Sequence, residues 1–281
     1  SIPAVFELKN LFAYALPQSF ARILYRANLW VDILMLTALA SLVDVGVYRV
    51  SVAIAMLGAL PVMASTTMFG PVIAELVYTN QIERLNALLK VVTRWLIVIS
   101  VPLYTGVLLL PDLVLAIFDD AYLNGASALG VLMMGQAIYV ACAPTGAILT
   151  NAGHSMLNLI NGVVSVSLNI GLNLLLIPDH GIMGAAIASA SALSVWSMLR
   201  LIQVRHLHGC WPFSLKGAVL LAGVIGSSLA LQTFLQGFPM WGRAAVVSSV
   251  LAGGIVLFLR FGLSESDGVV LDRIKRKLGR A

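Results

Sequence analysis

Charge is what this 281-residue chain has least of: Asp, Glu, Lys and Arg make up 10% of it, against about 25% in soluble domains. With 60% of its residues hydrophobic, a water-soluble globular domain is excluded. Cysteine is nearly absent too. Cys142, inside an apolar segment, and Cys210, in a basic loop, are the two present, which excludes a disulfide framework. The sequence contains no HExxH, GxSxG, CxxC or P-loop pattern. The four histidines, His154, His180, His206 and His208, fall at expected helix ends or loops rather than in a ligand-like cluster. No catalytic group, metal site or cofactor is therefore expected, and the chain reads as something other than an enzyme.

What is present is uncharged length. Residues 50–74, 121–178, 180–199 and 217–242 carry no Asp, Glu, Lys or Arg. A spanning helix needs about 20 apolar residues, so the second of these runs holds two spans and each of the others one. Shorter runs over 95–111 and 244–259 reach spanning length if their flanking arginines sit at the interface. With a polar but long segment near the start, the expectation is an all-α integral membrane protein. Eight transmembrane helices are expected, near 10–38, 45–77, 88–110, 126–150, 155–177, 182–207, 215–235 and 241–262. The second, between Val45 and Val77, is longer than the roughly 30 Å hydrocarbon core requires. Pro61, Gly70 and Pro71 are where it can break.

The net charge of +5 does not point to nucleic acid, because its distribution follows the membrane. Lys9, Arg84, Lys90, Arg94, Arg200, Arg205, Lys216, Arg260, Arg273, Lys275, Arg276, Lys277 and Arg280 fall on one side of the expected topology, thirteen of the 17 basic residues. Asp44, Asp112, Asp119, Asp120 and Asp179 fall on the other. The positive-inside rule makes the first side cytoplasmic, with both ends of the chain inside. The tail SESDGVVLDRIKRKLGRA gathers Val270, Leu271, Ile274 and Leu278 on one helical face among basic residues, as expected of a helix lying on anionic membrane lipids. The start, SIPAVFELKN, has neither Met nor the short apolar core of a signal peptide. Residues upstream of it are expected.

The first span is the odd one. NLFAYALPQSFARILYRANLWVDILML carries Pro17, Gln18, Arg22, Arg26, Asn28 and Asp32, and ionisable groups at membrane depth usually mark a pathway or a bundle interior. Arg22 and Arg26, four apart, share a face. They are read either as a cationic wall for an anionic head group or as an interfacial pair. Asn28 and Asp32 share another face. The fifth span carries Asn158, Asn161, Ser165, Asn169 and Asn173 at helical spacing, a polar stripe that can line a hydrophilic lumen or bond to neighbouring helices. After it comes LLLIPDHGIMGAAIASAS, where the fifth helix is expected to end at Ile177 before Pro178. A tight outer hairpin then leads into ridges of small residues, Gly184, Ala188 and Ala192 beside Gly181, Ala185 and Ser189.

The segments FGPVIAELVYTNQIERLNALLKVVTRWLIVISVPLYTGVLLLPDLVLAIFDDAY and GAILTNAGHSMLNLINGVVSVSLNIGLNLLLIPDHGIMGAAIASASALSVWSMLRLIQVRHLHG resemble the carboxy-terminal half of polysaccharide-biosynthesis flippases. These are the O-antigen and exopolysaccharide transporters of the superfamily that includes multidrug antiporters (MATE) and the lipid II flippase. The resemblance implies a six-helix MATE-like lobe over residues 1–208, two additional transmembrane helices over 209–263, and a cytoplasmic basic amphipathic tail over 264–281. It implies a partner in a missing amino-terminal lobe and a bacterial inner-membrane location. It also implies movement of undecaprenyl-pyrophosphate-linked oligosaccharide across that membrane by alternating access. Under it, Arg22, Arg26, Asn28, Asp32, Asn158, Asn161, Asn169 and Asn173 are the expected substrate-contacting residues. A cation-coupled multidrug antiporter is the alternative, with Asp32 as its intramembrane carboxylate. A membrane-bound polymerase or glycosyltransferase is disfavoured, since no connection is long enough to carry a catalytic domain.

Overall fold

The computed structural model describes residues 8–213, with Gly242 alone beyond them. Among the described residues every regular element is helical. In chain order these are α1 (Leu8–Leu39), α2 (Leu42–Leu57), α3 (Leu60–Tyr78), α4 (Ile82–Leu109), the short α5 (Pro111–Ala116), a 3-10 turn over Asp120–Gly125, α6 (Ala126–Asn151) and α7 (Ser155–His208). The spans expected at 215–235 and 241–262 and the basic tail lie outside the described residues. Four stretches among those described are long and apolar enough to cross a membrane: Leu60–Tyr78, Ile82–Leu109, Asp120–Asn151 and Ser155–His208.

The second expected span is two helices rather than one. α2 opens on a capping box, in which the Ser41 hydroxyl accepts from the Asp44 N–H and the Asp44 side chain accepts from the Ser41 backbone. It ends at Gly58, and α3 begins with Pro61 in its first turn, where the missing N–H leaves no hydrogen bond unmade. The break is clasped by α4. Ser100 donates to the Gly58 carbonyl at 2.9 Å, and the Tyr104 ring occupies the space that any side chain at position 58 would need. α1, by contrast, runs on through Pro17.

α7 is a hairpin. Its 54 residues are helical except at Gly181, whose φ of 52° and ψ of −128° a residue with a Cβ adopts only under strain. The helix does not stop at Ile177 as the sequence suggested. Pro178 and His180 remain helical, because a proline needs only that the carbonyl one turn back go unbonded, and the reversal falls at the first glycine. The two arms pack antiparallel so closely that a Cβ on Gly184 would collide with the backbone carbonyl of Leu176. Gly135 of α6 meets the second arm in the same way, a Cβ there falling 2.7 Å from the Ala190 Cα. Gly184, Ala185, Ala186, Ala188 and Ala192 are all buried. Lipid offers no hydrophobic drive for helices to associate, and small residues substitute backbone proximity for it.

The helices share two ends. One holds the α3–α4 turn, the α6–α7 turn and the close of α7, joined through Ile73, Leu85, Leu89, Ile148, Leu149, Val204 and Cys210. At this end Gly209, left-handed with φ 65°, caps α7, and the Trp211 N–H donates to Asn86 of α4 at 2.9 Å. The other end holds the α1–α2 turn, residues 110–125 and the reversal at Gly181. The connection between the third and fourth expected spans is largely helical, and Asp119 begins its 3-10 turn by accepting from the Ala121 N–H.

Candidate functional site

Three features of α1 define the site. Its first is the arginine pair. Arg22 and Arg26 are exposed, on the flank of α1 that faces away from the other described helices. Among the described residues no carboxylate forms an ion pair with either. The same flank carries Phe20, Ile23, Trp30 and Leu34, all largely exposed, so two guanidiniums stand within an apolar surface.

The second feature is the opposite flank, where Asp32 is 2% exposed and bonded by three other elements or arms. Tyr48 of α2 donates its hydroxyl to Oδ2 at 3.0 Å. Asn173, in the first arm of α7, donates to Oδ1 at 2.7 Å, and Ser189, in the second arm, donates to Oδ2 at 2.6 Å. No lysine or arginine among the described residues pairs with this carboxylate. Against it lies a small cavity of about 40 Å³ between α1, α2, α6 and the second arm, lined by Tyr25, Asn28, Asp32, Gln136 and Ser189 together with apolar side chains such as Leu29, Leu132 and Leu193. That is room for roughly two or three water-sized groups.

The asparagine stripe faces these partners. Asn158, Asn161, Ser165, Asn169 and Asn173 are all buried, and each bonds within the bundle. Asn158 donates to Thr150 of α6 at 3.2 Å. Asn161 and Gln203 exchange two amide bonds at 2.7 and 2.8 Å, joining the arms of the hairpin. Ser165 donates to the Ala192 carbonyl at 3.0 Å and accepts from Asn28 of α1 at 3.2 Å. Asn173 also donates to Asn169. Of the two readings the sequence left open for the stripe, lumen lining or bonding between helices, the geometry displays the second. The structure thus brings Asp32, Asn169 and Asn173 into one network, sets Asn28 on the same cavity with its own bond to Ser165, and leaves Arg22 and Arg26 outside. Asn158 and Asn161 sit toward the turn end.

The third feature is an aromatic and cationic cluster where α1 meets the second arm of α7. Tyr25 meets the Trp196 ring edge-on at 5.1 Å, and Arg200 stacks on the same ring, 4.4 Å from its centre. The sequence pointed to none of Tyr48, Ser189, Gln203, Trp196 and Arg200 as site residues. Ser189 was visible only as a small packing residue and Arg200 only as a flanking charge, and no periodicity within one helix signals a partner on another.

These helices and the relatives below make the chain a multi-pass helical membrane protein. It is 30% identical over 250 residues to the probable flippase AglR of Haloferax volcanii, covering 84% of this chain and 51% of that protein. It is likewise 30% identical over 159 residues to the uncharacterized membrane protein YabM of Bacillus subtilis, 51% of this chain and 29% of that one. No family model matches. The lipid II flippase MurJ, in its inward closed conformation, has a similar fold. The TM-score is 0.55 at 15% identity, over 83% of this chain and 51% of that structure. The chain spans about half the length, or less, of these proteins.

Proposed function

We propose that this chain is one lobe of a flippase that moves undecaprenyl-pyrophosphate-linked oligosaccharide across a bacterial inner membrane by alternating access. Arg22 and Arg26 meet the pyrophosphate. The observation that carries this reading is the pair itself, two guanidiniums one turn apart on an exposed helix flank, without a carboxylate partner among the described residues. A planar fork bonds two phosphate oxygens at once, and an apolar surface around it strengthens the attraction. The proposed lobe works against a second one, which this flank faces, with both ends of the chain in the cytoplasm. The relatives and the fold support transport of a lipid-borne substrate; the glycan class rests on the sequence resemblance.

Within this reading Asn161 and Gln203 hold the hairpin together, while Asn28, Asp32, Asn169 and Asn173 set the position of α1. In the full-length protein, the Arg22→Gln/Arg26→Gln double variant is expected to abolish surface polysaccharide at unchanged membrane abundance. Wild-type glycan levels at normal expression would remove the pair from the site.

A second reading, cation-coupled antiport of drugs, is favoured by Asp32, a buried carboxylate with no cationic partner among the described residues. It requires that Asp32→Asn abolish the ion dependence of transport. Ion dependence that survives this change, in cells or in proteoliposomes, eliminates it.

A further inference from the structure

Arg200 is a cation that neither a membrane interface nor an acidic partner explains. It lies two helical turns before the end of α7 and is half-buried. Among the described residues no carboxylate pairs with it, and its Nε is buried without an acceptor. Its charge is offset from one direction, by the Trp196 ring 4.4 Å below the guanidinium. Stacking of this kind satisfies the face of a guanidinium and leaves its N–H edge free to bond two oxygens of an anion. Gly146 of α6 lies beside the guanidinium and leaves it room: a Cβ there would stand 2.9 Å from Nη1 and would displace it. Tyr25 of α1 meets the same Trp196 ring edge-on. The Tyr14 hydroxyl of α1 donates to the Thr150 carbonyl of α6 at 2.9 Å. The Gln18 Oε1 is likewise buried and unpaired.

We propose that Arg200 is the inner anchor of an anion site, walled by Trp196 and Tyr25, that takes a phosphate or pyrophosphate group. The proposal rests on the flippase reading and deepens it. Arg22 and Arg26 occupy the same turns of α1 as Tyr25 but on its exposed flank, so an anion met there has a half-buried arginine to move toward.

The test measures binding to the full-length protein in nanodiscs, with undecaprenyl pyrophosphate, undecaprenol and inorganic pyrophosphate as probes and thermal unfolding as the control for folding. The wild type is expected to bind undecaprenyl pyrophosphate and not undecaprenol. R200Q is expected to weaken that binding about tenfold or more, the usual scale for a charge-assisted hydrogen bond. R200K, which keeps the charge and loses the fork, should fall between the two. If R200Q unfolds, R200K decides. An Arg200-dependent loss for both pyrophosphate probes assigns the site to a lipid head group, and a loss for inorganic pyrophosphate alone assigns it to a free anion. Wild-type affinity in a folded R200Q or R200K overturns the proposal. If the Arg22 and Arg26 variants then still weaken binding, the flippase reading survives it; a wild type that binds neither phosphate probe overturns both.

Discussion

At the scale of single residues, membrane burial decides what a polar side chain does. A hydroxyl or amide facing lipid has no water to fall back on, so it finds a neighbouring helix. Each such bond is modest, about 0.6 kcal/mol on average and at most about 1.7. Asp32 is where several converge, accepting from Tyr48, Asn173 and Ser189. Asp32→Ala strands three buried donors and is expected to cost about 2–4 kcal/mol of unfolding free energy. Asp32→Asn keeps the volume and one acceptor oxygen, and about 1 kcal/mol should suffice for it. Denaturant titration of both variants in detergent measures the difference. Equal losses would mean that Asp32 holds its place by shape rather than by bonding.

At the scale of elements, two breaks shape the bundle, and both fall at glycine. Gly58 ends α2 under the Tyr104 ring, and Gly181 reverses α7. The arms of the hairpin then need Gly184 for their close approach. Gly184→Val sets a branched side chain against the Leu176 carbonyl and the Ile177 amide, and should cost about 1–3 kcal/mol or prevent accumulation of folded protein. Gly171 lies in the same helix with nothing near the place of its Cβ. Gly171→Ala is expected to be neutral or to stabilise by up to about 1 kcal/mol, through helix propensity alone. Melting temperatures of the two variants, compared side by side, test whether backbone contact or propensity governs the hairpin. The breaks were half legible. Gly and Pro marked where a helix could end, but not whether it would: Pro17, Pro71, Pro144 and Pro178 all lie inside helices, since in each the rest of the turn remains bonded.

At the scale of the whole molecule, three membrane-crossing stretches separate the α3–α4 turn from the reversal of α7, namely α4, α6 and the first arm of α7. Thr79 and Asp179, both exposed, should therefore lie on opposite sides of the membrane. With Thr79→Cys and Asp179→Cys made separately, a membrane-impermeant maleimide added to intact cells is expected to label position 179 and not position 79. The native thiols leave the background low. Cys142 and Cys210 are buried, and burial pushes the Cys210 thiol up from its ordinary range against the opposing pull of Lys90. Labelling of both positions from the same side would refute the hairpin topology.

The sequence by itself determined the membrane class and the placement of most helices, because uncharged length and helical spacing are local properties that no tertiary contact has to supply. It marked the asparagine stripe and Asp32 for the same reason: polar groups inside apolar runs stand out wherever they point. Which way they point was decided only by packing. Asn161 finds Gln203, 42 residues further on, and Asp32 finds Ser189, 157 residues further on. Such partners are chosen by the angle at which helices cross and the gap that small residues leave between them. The same packing took Arg200 from one of thirteen charges counted on the cytoplasmic side to a half-buried guanidinium stacked on Trp196, since burial belongs to the neighbours of a side chain and not to its own helix.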